Sequence, residues 1–307
     1  ETLEWTDIAP LWVRKIIGFR LQHLFMFFAS RRYDVVFGPS LLYMMALHVV
    51  IPSKAKYVLF NTSLVRTLNV NKPRPWRYRI LLLLIRKLDG IVCPSTSQKE
   101  WLEKEIPWLV GKVFYVPLGV DTGFYSPIFT PREKYVLSVG YDIGRDFDTL
   151  MRVAERLPRI PFKVVCHPLN VKHIKHIPSN VQLFHDTPFS ELNDMYKTAG
   201  VSLITTQDDQ PQFGSSCSGQ TALLDAMAAG IPTIITRQAC LKDYVSDNRE
   251  VYLVEPYDDA QIAALIPTLF TPYASGIAER ARTRVESFST SRMAQELAAV
   301  LTKLVKE

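Results

Sequence analysis

The sequence predicts an α/β protein built on doubly wound parallel sheets, and three observations carry that expectation. Short β-branched runs alternate with helix-length amphipathic segments through most of the 307 residues. The length suits two domains, each able to bury its own core. Residues 201–236 read as one complete strand, loop, helix, strand unit.

That unit organises the rest. Residues 201–205 (V-S-L-I-T) form a strand, and 215–219 (S-S-C-S-G) are a loop of small polar residues. Residues 220–229 are a helix with Leu223, Leu224 and Met227 on its apolar stripe and Gly230 as its stop. The β-branched run 231–236 suits a buried parallel strand. The first N–H groups of a helix lack internal partners, and the macrodipole adds positive potential there. Ser218, Gly219, Gln220 and Thr221 therefore mark a place where a phosphate oxygen can approach the backbone. Asp225 follows about one turn later, where a carboxylate can accept hydrogen bonds from a sugar or ribose hydroxyl. An ordinary Ser-Gly capped helix explains the same residues equally well.

From the N-terminus, residues 11–30 alternate Trp12, Ile16, Phe19, Leu24 and Phe27/Phe28 with basic residues, an amphipathic helix. It packs on its own sheet or, given Trp, Phe and Lys/Arg together, lies on a membrane surface. Residues 33–38 and 55–60 are strands, with a helical segment at 41–50 between them. Loops after the C-terminal ends of such strands line the ligand crevice, which selects Gly38-Pro39-Ser40 and Asn61-Thr62-Ser63. Residues 65–79 carry Arg66, Lys72, Arg74, Arg77 and Arg79 interleaved with Trp76 and Tyr78. Such a patch holds phosphate, lipid headgroups or RNA, or is a solvated loop running into a helix at 76–88. No RNA-binding motif accompanies it, so nucleic acid is not an expected partner.

Strands follow at 89–95 and 112–117 around a capped helix at 95–105, and the Pro-rich, charged stretch 126–134 reads as a linker. Residues 135–140 open a second domain, with Arg145 at the next helix start, a place suited to phosphate. Beyond the strand at 162–167, His167, His173 and His176 sit beside Lys172 and Lys175 and read as a solvated face, so no metal is expected. Strand 181–184 leads through His185-Asp186-Thr187-Pro188 into helix 190–199. Residues 207–213 read as a mobile polar loop, 250–256 as a strand, and 291–306 as a final amphipathic helix.

A hydrophobic content of 48% with 21% charged residues describes a soluble globular chain. The longest apolar stretch, 11–29, is broken by Arg14, Lys15, Arg20 and His23, so it does not read as a membrane span. Neither an initiator Met nor a signal-peptide pattern opens the chain, which suggests a fragment or a processed product. The net charge of +6 favours anionic partners without choosing among them. Cys93, Cys166, Cys217 and Cys240 are scattered, which favours a reducing cytoplasm over a disulfide framework or a zinc site. No G-x-G-x-x-G follows a strand, which argues against a nicotinamide enzyme.

Residues 223–233, L-L-D-A-M-A-A-G-I-P-T, resemble the L-L-E-A-M-A-x-G-x-P-V segment of retaining glycosyltransferases of family 4. Segments 88–127, 135–150 and 181–199 resemble that family as well. The resemblance implies the GT-B fold: an acceptor-side Rossmann-like domain over 1–125, reduced at its start, and a nucleotide-sugar domain over 126–290. It also implies a C-terminal helix, 291–307, crossing back to the first domain. The family's pair of glutamates falls on Cys217 and Asp225, so the first is lost and the second shortened. The family's diphosphate-neutralising Arg falls on Tyr141, and Arg145 stands where its Lys would be.

The resemblance thus assigns Arg145 and Asp225 to catalysis. It assigns Arg145 with Ser218, Gly219, Gln220 and Thr221 to the donor diphosphate, and His185, Asp186 and Asp225 to base and ribose. Ser40, Asn61 and Arg66 are the acceptor-side candidates. It implies a nucleotide-diphosphate sugar as donor, an unidentified acceptor, no cofactor and no metal. Lost motif residues keep two alternatives open, a weakened GT-B protein that binds without transfer and a nucleotide-sugar epimerase. The expected location is cytoplasmic, with peripheral membrane contact if the basic and aromatic residues of the first domain face outward. An inward-facing set of aromatics is the slightly favoured expectation.

Overall fold

A computed structural model describes residues 19–39, 41–127, 132–208, 217–271 and 274–306. The chain divides into two compact units. The first runs to Val116 and takes in the chain from Gln295 onward, and the second is Pro117–Ala294. The division falls earlier than the 125/126 boundary read from composition. Val120 and Tyr125, beyond the last strand of the first unit, pack into the apolar core of the second.

The first unit holds a four-stranded parallel sheet, β1 (Val35–Gly38), β2 (Lys56–Phe60), β3 (Gly90–Cys93) and β4 (Val113–Tyr115), ordered as in sequence. Helix α1 (Phe19–Ser30) precedes the sheet, and the crossovers are α2 (Leu42–Val50), α3 (Leu64–Asn71), α4 (Pro75–Ile85) and α5 (Thr96–Glu105). Pro75 opens α4, where the missing N–H is no loss, and Ser95 Oγ caps α5 by accepting from Gln98 N–H at 3.2 Å. Tyr57, Leu68, Ile85 and Ile91 fill the core beneath the sheet. Phe27 of α1 is buried while Phe28 is exposed, and Trp12 lies outside the described residues. Trp76 is exposed, contrary to the inward expectation.

The second unit holds β5 (Glu133–Gly140), β6 (Phe162–Cys166), β7 (Val181–Phe184), β8 (Ala199–Ile204), β9 (Thr233–Thr236) and β10 (Tyr252–Val254). Its order is β10-β9-β8-β5-β6-β7 with every pairing parallel. Sequential order reverses between β5 and β8, which makes their C-terminal ends the topological switch point. Helices α6 (Phe147–Arg156), α7 (Pro168–Val171), α8 (Phe189–Thr198), α9 (Gln220–Ala228), α10 (Asp259–Leu269) and α11 (Ser275–Val285) cover the sheet, and α12 (Thr290–Lys306) ends the chain. Strands β8 and β9 are buried along their whole length, as their β-branched, unalternating sequences require. Gly230, with φ of 67°, ends α9.

Arg132 anchors the entrance to this unit. Its guanidinium donates to the carbonyls of Tyr196, Lys197 and Ala199 at the end of α8, and to those of Ala229 and Gly230 at the end of α9. No described helix is long and apolar enough to cross a membrane. All four cysteines are buried and none forms a disulfide with a described residue.

Candidate functional site

The switch point of the second unit gathers most of the residues singled out in sequence. The loop leaving β5 and the loop leaving β8 are tied by main-chain bonds: Asp146 N–H donates to the Thr205 carbonyl at 3.0 Å, and Gln207 N–H to the Gly144 carbonyl at 2.9 Å. Thr205 Oγ1 returns a bond to the Asp146 carbonyl at 2.6 Å. Asp146 also caps α6 by accepting from Thr149 N–H at 3.0 Å. One carboxylate thus fixes the start of α6 while its backbone fixes the loop beside it.

Helix α9 begins against this seam. Gly219 is its N-cap in the left-handed region, φ 81°, and a Cβ there would stand 2.6 Å from Ile204 Cγ2. Only glycine fits both demands. Ser218 is gripped on both sides by Gln238, whose Oε1 accepts from Ser218 N–H at 3.2 Å while its Nε2 donates to the Ser218 carbonyl at 2.9 Å. Ser218 Oγ further donates to Asp142 Oδ1 at 3.3 Å. The Ser218 amide is therefore occupied by protein. The amides of Gly219, Gln220 and Thr221 have no partner among the described residues, and they face the end that the helix dipole makes positive. Gly219→Ala is expected to destabilise the protein by ~1–3 kcal/mol and to displace this turn, read by urea unfolding.

Arg145 does not lie open beside the turn. Its side chain is 4% exposed and curls back over Gly140, where Nε donates to the Thr205 carbonyl at 2.9 Å and Nη2 to Ser138 Oγ at 3.1 Å. Nη1 donates to the Val139 carbonyl. A Cβ on Gly140 would overlap the guanidinium, so the glycine makes the room. Burial lowers the Arg145 pKa to about 10, still charged at neutral pH. What the structure provides is a buried positive charge behind the switch point, with protein acceptors on three of its nitrogens.

Asp225 sits on α9 at 9% exposure, and burial raises its carboxyl to about 7. The carboxylate has no hydrogen-bond partner among the described residues. Tyr125 and Tyr196 approach it, their rings 5.3 Å apart and near perpendicular, and Asp225 adds to the burial that raises both phenols. Buried polar atoms without a partner among the described residues cluster in this part of the unit: Tyr196 OH, Thr206 Oγ1, Gln207 Oε1 and Gln220 Nε2. Sequence reasoning missed Tyr125, Tyr196, Thr206 and Gln238, which reach the region from four separate segments.

On the far strands, His185 Nδ1 meets the Cys166 carbonyl at 2.7 Å, and Asp186 follows with φ of 51°. Both are exposed. Tyr141 stands beside them, its phenol raised by burial and then by the Asp186 charge. His167 and His173 are engaged locally: His167 Nδ1 accepts from Leu169 N–H and His173 pairs with Asp148 at 2.8 Å. The described residues contain no cluster of three potential metal ligands.

In the first unit, Asn61 is turned inward. Its Oδ1 accepts from Leu64 N–H at 2.9 Å at the start of α3, and its Nδ2 donates to Cys93 Sγ at 3.4 Å, so its side chain is spent on the fold. Arg66 is half-buried, and Ser40 lies outside the described residues. A cavity of about 520 Å³, lined in part by Arg132, Gly200, Pro232 and Phe270, opens at the opposite, N-terminal ends of β5, β8 and β9. It lies away from the switch point.

With this geometry in place, comparison with known proteins defines the class. Residues 144–271 match the family model of Glycosyl transferases group 1. That span runs from the β5 exit loop through α9 to the end of α10. No curated protein matches the chain in sequence.

Solved structures match nearly all of it. A glycosyltransferase from Rickettsia africae ESF-5 superposes with TM-score 0.70 at 16% identity, covering 97% of this chain and 84% of that one. A sucrose-phosphate synthase from Thermosynechococcus elongatus gives 0.73 at 15%, covering 95% and 79%. Anabaena Alr3699/HepE, solved with UDP-glucose, gives 0.72 at 12%, covering 92% and 82%. The fold is GT-B, an α/β unit with a parallel sheet followed by a second such unit, and it is within the second that residues 144–271 resemble group 1 glycosyltransferases. These findings support an enzyme of the glycosyltransferase class.

Proposed function

We propose that this chain is a retaining glycosyltransferase of family 4 that moves a sugar from a nucleotide-diphosphate sugar to an acceptor. The observation that carries the donor side is the start of α9. Among the described residues, three amides without partners sit at the switch point of a parallel sheet, followed one to two turns later by a buried carboxylate that likewise has none there. The diphosphate lies on the amides of Gly219, Gln220 and Thr221, with the Ser218 backbone held in shape by Gln238 rather than donated. Arg145 acts from behind as fixed positive potential, so no metal is needed to offset the departing charge.

Asp225 accepts from a ribose or sugar hydroxyl, and Tyr196 OH and Gln220 Nε2, buried and without a partner among the described residues, give that ligand further contacts. His185 and Asp186, with Tyr141, take the base side. The retaining outcome rests on the resemblance of residues 223–233, and no protein nucleophile is assigned: the leaving phosphate assists the incoming hydroxyl. The first unit handles the acceptor, with Ser40 and Arg66 as candidates, while Asn61 shapes its loop. Four buried cysteines outside any disulfide suit a cytoplasmic protein.

Calorimetry with UDP, GDP and ADP against their bare nucleosides tests the donor side. The preferred diphosphate is expected to bind at least about tenfold tighter than its nucleoside, as charge-assisted bonds to amides require. Equal affinities would overturn the assignment of the α9 turn.

One observation favours a second reading. Cys217, buried, stands where the family's first glutamate would be. If sugar nucleotide binds but no transfer or nucleotide release follows with any acceptor, the chain is a binding protein on a glycosyltransferase fold.

A further inference from the structure

Helix α4 presents an apolar ridge to solvent. Trp76, Ile80 and Leu83 recur at i, i+4 and i+7, and are 62%, 50% and 54% exposed. Its opposite side is already used: Ile85 is fully buried, with Tyr78 and Leu82 packed on the core. The helix is therefore apolar on both sides, yet only one side packs on a partner among the described residues of the unit. At 100° per residue Arg79 lies along one flank of the ridge and Arg77 along the other, and Arg86 and Lys87 follow in the turn after the helix. Arg77 lies over the Trp76 ring, 5.0 Å from its centroid. Helix α2, which packs against α4, carries exposed Tyr43 and Val50.

The charge around this ridge is one-sided. Residues 19–89 contain twelve Lys/Arg and only two carboxylates, Asp34 and Asp89. Arg74, Arg77, Arg79, Arg86 and Lys87 pair with no carboxylate among the described residues. A second copy of this surface would repel it, and an apolar protein partner would leave the arginines without counter-charge. An indole and two aliphatic side chains between rows of arginine match the interfacial zone of a bilayer instead. There the apolar tips enter the acyl boundary while the guanidinium groups reach the phosphates.

We propose that the exposed face of α4, centred on Trp76, Ile80 and Leu83, docks this protein on an anionic lipid bilayer. The proposal does not depend on the donor-site reading, because the residues involved lie in the first unit and docking needs no turnover.

Flotation of the full chain with vesicles of phosphatidylcholine, with and without a third of phosphatidylglycerol, tests it. At low salt the protein is expected to float with the anionic vesicles only, and to be released at high salt. The triple variant Arg74→Ser, Arg77→Ser, Arg79→Ser should lower partitioning by about a hundredfold and Trp76→Ser by about tenfold. These sites are exposed, so unchanged circular dichroism is expected to certify the fold. Failure to float with anionic vesicles, equal binding to neutral vesicles, or unaltered binding by either variant would overturn the proposal. So would a dimer in light scattering that the Trp76→Ser change dissolves, since the ridge would then belong to a second copy of the chain.

Discussion

Asp225→Asn is expected to make the ligand-free protein more stable at pH 8 by ~2–4 kcal/mol, and to leave it nearly unchanged at pH 4. The carboxyl is raised from 3.8 to about 7 by burial. A carboxyl whose folded pKa exceeds its unfolded value binds its proton more tightly in the fold. Below about pH 4 both states are protonated and there is no effect on stability. Between about 4 and 7 the unfolded chain releases the proton first, so stability falls as pH rises. Above 7 the full cost remains, on the order of 4 kcal/mol for about three pKa units.

Asparagine removes the charge but keeps a polar group to bury, which sets the lower end of the expected gain. Thermal melts at the two pH values read the difference directly. A variant that loses stability at pH 8, or gains equally at both values, would mean that the carboxylate is partnered after all. For donor binding the Asn variant should cost less than Asp225→Ala, since it keeps one acceptor.

Arg145→Ala is expected to destabilise the protein by ~3–5 kcal/mol, the largest loss anticipated for any single site here. Its nitrogens satisfy the Thr205 and Val139 carbonyls and Ser138 Oγ, and truncation leaves these groups buried, with a cavity over Gly140. Relief of the desolvated charge offsets part of the loss, which keeps it below the sum of three lost bonds. Arg145→Lys keeps the charge but cannot reach three acceptors set around a planar fork, so it should fall between wild type and Ala. Urea unfolding checks the order. A near-neutral Ala variant would show that the guanidinium is not held as described and is free to meet a ligand.

The two sites also show where sequence reasoning reached and where it stopped. Helix α9 and strand β9 were legible because their signals are local: an apolar stripe, a Gly stop, a β-branched run. Arg145 was legible as a cation at a helix start, but not its direction. That direction is set by the missing side chain of Gly140 and by the Thr205 carbonyl sixty residues away, which no local pattern encodes. Gln238, Tyr125 and Tyr196 were missed for the same reason. Each reaches the region from a different segment, and a lone Gln or Tyr carries no spacing signal. The slightly favoured inward placement of the aromatics fails at Trp76, because the ridge it shares with Ile80 and Leu83 faces away from the core among the described residues.

Arg132 has an electrical consequence. A helix carries opposite partial charges at its two ends, and each end weakens the potential that the other casts into its surroundings. By donating to the last carbonyls of both α8 and α9, Arg132 grounds two negative poles on a single cation. The positive poles at the far ends are then less compensated, and one of them is the Gly219–Thr221 turn. The linker arginine thus works like a shared earth wire. It touches nothing at the switch point, yet it sharpens the field that an incoming anion meets there.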